Sequence, residues 1–162
     1  MTTATAESNL MGLGMPAPLA RLMVEGPIEF NGTDQTRVTG AIMQTRSVTA
    51  MTTSATIATA AILGGIITAN QGAAGAATYT MPTGTVFAAA VPAAMATGDC
   101  ILFSIVNIST NAAEIVTVAG DTDMTAVGNM TIAANGATTS QAWGTFMIRK
   151  TGATTFSFYR VG

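Results

Sequence analysis

Residues 101–109 read ILFSIVNIS. In an extended chain, Ile101, Phe103 and Ile105 fall on one face and Leu102, Val106 and Ile108 on the other. Apolar residues on both faces predict a strand buried on both sides. Gly98-Asp99 precedes the run as a turn, so it is bounded like a strand and is too short for a typical helix.

Working outward, the pattern stays β from about residue 51 to the end. Ile115–Val118 is rich in β-branched residues, and Met130–Ala133 is a further short strand. Ala142–Ile148 alternates small or polar residues with Trp143, Phe146 and Ile148. Thr155–Val161 sets Phe156 and Phe158 against Tyr159 and Val161. Asn135-Gly136 and Thr151-Gly152 supply turns, and the tetrapeptide Gly-Ala-Thr-Thr recurs at 136–139 and 152–155. Short strands with frequent turn signals predict a mainly β fold, an antiparallel β-sandwich over residues 51–162. One stretch, PTGTVFAAAVPAAMA at 82–96, predicts a short helix that Pro92 stops.

Residues 1–50 differ. Prolines 16 and 18 break helix and central strand alike, and Asn31-Gly32 suits a tight turn. Large apolar residues there keep neither helical nor strand spacing, which predicts an extended, irregular arm that orders on a partner. Five of the 11 methionines (Met1, Met11, Met15, Met23 and Met43) lie in this arm, and methionine suits adaptable contacts.

Charge separates the two parts. Only 14 of 162 residues are charged, eight acidic and six basic. Seven fall within the first 46 residues, and then Ser47–Gly98 carries none at all. Alanine and threonine, at 30 and 29 residues, fill the space. A solvent-facing surface so neutral is a solubility liability, which predicts that other chains cover much of it. A net charge of −2 gives no drive onto nucleic acid. The apolar stretch ATIATAAILGGIITA, 55–69, is short of the about 20 residues a membrane span needs. The first basic residue is Arg21, so Met1–Met15 does not read as a signal peptide.

The same composition leaves little chemistry. Histidine is absent, which removes imidazole from both acid–base catalysis and metal binding. Cys100 is the single cysteine, excludes an internal disulfide, and reads as a buried, inert thiol. No Gly-x-Ser-x-Gly elbow occurs, and the glycines at 64–65 and 72–75 have no lysine nearby to make a phosphate loop. Asp121 and Asp123 could share a hard cation such as calcium, but no third carboxylate follows, and a structural turn is the better reading. Arg149-Lys150 reads as a solvated pair at a hairpin tip. The Asn-x-Ser/Thr triplets at Asn31, Asn107 and Asn129 are not expected to be glycosylated, Asn107 lying within an apolar strand. No catalytic, cofactor-binding or metal-binding residue is therefore assigned, and no enzymatic activity is expected.

Residues 68–162 carry a family resemblance. The segments TANQGAAGAATYTMPTGT, GDCILFSIVNISTNAAEIVTVAG, MTAVGNMTIAANG and FMIRKTGATTFSFYRVG resemble the jelly-roll-like domains of tailed-bacteriophage decoration (cement) proteins and head fibres. The resemblance covers about 60 % of the chain and includes no catalytic signature. It implies a homotrimer on the capsid exterior, without enzymatic activity, and transfers no site residue. Residues 1–50 would then reach the phage major capsid protein. The alternative is a phage fibre or tail-associated receptor-binding subunit; a bacterial carbohydrate-binding or adhesion module is a third class. Neither membrane nor nucleic acid is an expected partner.

Overall fold

The computed structural model describes residues 46–72, 75–136 and 141–162. The arm expected over 1–50 lies outside these residues except for its last positions, and those are not irregular. Strand β1 (Ser47–Met51) is a full member of a sheet. Then follow β2 (Ala55–Thr56), helix α1 (Thr59–Gly64), β3 (Gly65–Ala69), β4 (Ala77–Thr80) and helix α2 (Gly84–Ala90). The remaining strands are β5 (Cys100–Asn107), β6 (Val116–Ala119), β7 (Met124–Val127), β8 (Thr131–Ile132), β9 (Trp143–Lys150) and β10 (Phe156–Arg160).

The fold is mainly β, with two sheets ordered β1-β3-β5-β9-β10-β7 and β2-β4-β6-β8. Up to β8 the chain changes sheet at every strand. Most strands adjacent in one sheet are therefore joined through the other, and most such pairs run the same way. Pairs β1–β3, β3–β5, β2–β4, β4–β6 and β7–β10 are parallel. Only β5–β9, β9–β10 and β6–β8 are antiparallel. This corrects the expected antiparallel pairing, and with it the all-antiparallel order of a jelly roll. The physical reason lies in the connections. Most turns, Asn135-Gly136 among them, carry the chain across to the other sheet, and Thr151-Gly152 alone of the two expected turns folds it back as a hairpin, between β9 and β10. Parallel neighbours need such long crossovers; here they run from Met51 to Gly65 and from Ala69 to Cys100.

One apolar core joins both sheets. The six-stranded sheet contributes Ile67, Phe103, Ile105, Phe146, Ile148, Phe156 and Phe158, and the four-stranded sheet Tyr79, Val116, Val118 and Ile132. Phe103 stacks on Phe146 at 5.2 Å, and Phe87 of α2 meets Phe156 edge-on at 5.1 Å. Such pairs add to the burial of their large apolar area. Helix α2 ends before Pro92 as expected, and Thr83 caps its start by accepting from the Val86 N–H. Gly84 is required there: a Cβ would strike the carbonyl oxygen of Thr154 and crowd Asp123. The pair Gly64-Gly65 forms a helix–strand junction. Gly65, at φ 85°, ends α1 and starts β3, a left-handed cap that glycine adopts without strain.

A buried phenol ties the first coil together. Tyr79 Oη donates to the Met51 carbonyl at 2.9 Å and accepts from Gln71 Nε2 at 3.0 Å. Burial pushes the Tyr79 hydroxyl above its usual value of 10.0, and the Gln71 hydrogen bond offsets this only in part. The raised folded-state value makes the neutral phenol the stable form. Its contribution is whole below about pH 10 and is lost as pH rises through the folded-state value. Tyr79→Phe should thus lower the urea midpoint at neutral pH, by about 1–2 kcal/mol in stability. It should also flatten the fall in that midpoint as pH rises above about 10. An equally steep alkaline fall in the variant would contradict this.

Candidate functional site

The run 101–109 shows where the molecule is unfinished. Phe103, Ile105 and Asn107 are buried, but Leu102 is 50 % exposed and Ile108 48 %. The expected burial on both faces is corrected: among the described residues, the inner face of β5 is buried and the outer face is exposed or half-buried. The outward positions of the rest of the six-stranded sheet are likewise exposed or half-buried. Register aligns Leu102, Met147, Tyr159 and Val127 in one outward row. A second row holds Val48, Ile66, Ser104 and Thr145, and Val161 continues it through its N–H bond to the Thr145 carbonyl. A third holds Ala50, Thr68, Val106 and Trp143. Val48, Val161 and Trp143 are all exposed, Trp143 at 46 %.

This outer face carries almost no charge. Arg149, at its end beside Cys100, is the one ionic side chain among the outward strand positions. The two hydroxyls at its centre, Ser104 Oγ and Thr145 Oγ1, lie 3.2 Å apart and satisfy each other. Six strands spaced about 4.8 Å apart, with outward positions every two residues, make a face of about 500 Å².

Cys100 opens β5 on this same face and is exposed, its Sγ 3.5 Å from the Gly98 carbonyl. The expected buried thiol is therefore corrected; strand parity places it with Leu102 rather than with Phe103. An open depression of about 530 Å³ lies beside it, lined by Arg46, Leu63, Gly65 and Leu102 among others. Arg46 Nη1 donates to the Gly65 carbonyl at 3.4 Å across that depression.

Asp121 and Asp123 make a turn. Asp121 Oδ1 accepts the Thr122 N–H at 2.7 Å, Asp121 bridges to Met124, and Asp123 takes a positive φ of 62°. The backbone carbonyl of Asp123 receives the Phe156 N–H, tying the turn to β10. Among the described residues no group of three or more potential ligand side chains could hold a metal ion. Asn129 likewise serves its own backbone, accepting the Thr131 N–H. Lys150 is not simply solvated: its Nζ donates to the Met95 carbonyl at 2.7 Å. Arg160 spends its guanidinium on the carbonyls of Thr131, Trp143 and Gly162.

A polar cluster that sequence reasoning missed lies under the loop after β5. Glu114 is 1 % exposed, and its carboxylate accepts the Ser109 hydroxyl. Asn107 Nδ2 donates to the Glu114 carbonyl at 2.7 Å, while Asn107 Oδ1 accepts the Ser109 N–H. The signal was Asn107 itself, a polar residue at an inward position of an apolar strand. The cluster shapes a loop. It brings no nucleophile together with a base in an open cleft.

No family model matches this chain, and neither does any curated protein or solved structure. No described helix is long and apolar enough to cross a membrane.

Proposed function

We propose that this chain is a structural subunit of a tailed-bacteriophage virion, decorating and cementing the capsid exterior as a homotrimer. The observation that supports this reading is the neutral, apolar outer face of the six-stranded sheet. A subunit whose task is to be covered by other chains needs such a face, and an enzyme does not. In this reading the segment before β1 engages the major capsid protein, and the β unit joins like subunits. Cyclic homo-oligomers are a common way to hide a surface of this kind.

Half-exposed Trp143 favours a second reading, a fibre or tail-associated subunit, because aromatic anchors serve receptor contacts. Copy number separates the two: hundreds of chains per particle mark decoration, a few tens or fewer a fibre. For the cementing role, particles lacking this protein should lose integrity on heating or in low salt before complete particles do. Equal resistance would sink it. A truncation that tests the arm should remove residues 1–45, since removing 1–50 would also take most of β1.

A further inference from the structure

We propose that copies of this chain meet through the outer face of the six-stranded sheet, three of them turning it toward one axis. This rests on the homotrimer reading above and gives it a surface. The first support is the mismatch in β5. Its residues have the composition of a strand buried on both sides, yet Leu102 is half exposed and Ser104 and Val106 only partly covered. The neighbours repeat that mismatch in register, from Val48 and Ile66 through Met147 to Tyr159 and Val127.

The second support is charge. Any partner must lie against a field whose ions, Arg149 and the Arg46 that lines the depression beside Cys100, sit together at one end. A charged partner surface would lose its water and gain no counter-charge there, which is costly. Another copy of the same face brings apolar groups and a hydroxyl pair already satisfied internally. Arg149 stays at the rim, where its guanidinium keeps its water, and isolated rim charges cost little.

Trp143 is the chain's single tryptophan and sits on this face, so the unaltered protein reports on the contact. Light scattering of the full chain at micromolar concentration should give three times the 16.3 kDa chain mass. Acrylamide should quench Trp143 several-fold less in that trimer than after dilution-driven dissociation. Thr145→Glu places a charge at the centre of the face and should yield a monomer with unchanged far-ultraviolet circular dichroism. Leu102→Gln, at a half-exposed position, should weaken the trimer more mildly. Thr117→Glu, outward on the other sheet, should leave it intact. A trimer in which Trp143 is quenched as freely as in the monomer overturns the face and spares the trimer. So does a folded Thr145→Glu that stays trimeric. A wild-type monomer with accessible Trp143 overturns both. A wild-type monomer with shielded Trp143 means that the chain covers its own face, and also overturns the proposal. If Thr145→Glu fails to fold, quenching in the wild type still decides.

Discussion

Replacing Phe103 with alanine should cost about 3–5 kcal/mol of stability, the range for a large aromatic in a packed core. Phe103 is fully buried at the middle of β5, and its ring stacks on Phe146 at 5.2 Å. Strand β5 lies between β3 and β9, so the cavity would open inside the sheet, where both neighbours are held by their own ladders. Close-packed surroundings relax only in part, and the lost contacts add to the lost transfer energy. The thermal midpoint should fall by at least roughly 10 °C. Leu102→Ala, one residue away on the outer face, should cost about 1 kcal/mol or less within the dissociated subunit. Matched urea titrations of both variants check the pair. Equal losses would mean that both faces of β5 are packed within one subunit.

Glu114→Ala should be the next most damaging change, at about 2–3 kcal/mol. The carboxylate is almost fully buried and holds the Ser109 hydroxyl, and the surrounding loop bonds pass through Asn107 and Asn111. Truncation leaves the Ser109 hydroxyl without its acceptor and a gap where the carboxylate stood. Glu114→Gln keeps an acceptor oxygen in place and should lose only on the order of 1 kcal/mol. The double variant Ser109→Ala with Glu114→Ala should cost clearly less than the sum of its parts, because the two groups satisfy each other. Simple additivity in the double-mutant cycle would show that they are not coupled.

Local pattern was legible, and connection was not. Strands β5, β6, β8, β9 and β10 fall within a residue or two of where side-chain alternation puts them. Helix α2 stops where Pro92 requires. Strand β1, SVTAM, carries no such alternation of large apolar groups and is defined by its partner β3. Helix α1 and β3 share one apolar stretch, divided by the backbone angle of Gly65, which composition does not announce. Parallel pairing escaped for a related reason: a turn signal says that the chain bends, not which sheet receives it. The outer face was present in the sequence as the second apolar row of residues 101–109. What could not be read was that the described residues leave that row largely open.

The position of β10 has a consequence for biosynthesis. Strand β7 is the last in its sheet, and β10 is its only neighbour there, with Met124 opposite Phe156. Strand β7 is therefore synthesised 32 residues, or about 2–6 s at ordinary elongation rates, before the strand that pairs with it. Throughout that interval the nascent chain displays an unpaired edge and unfilled places for Phe156 and Phe158. Such edges invite wrong pairing. The nascent chain is thus most exposed to a chaperone, or to misassembly with a neighbouring nascent copy, just before its last strand arrives.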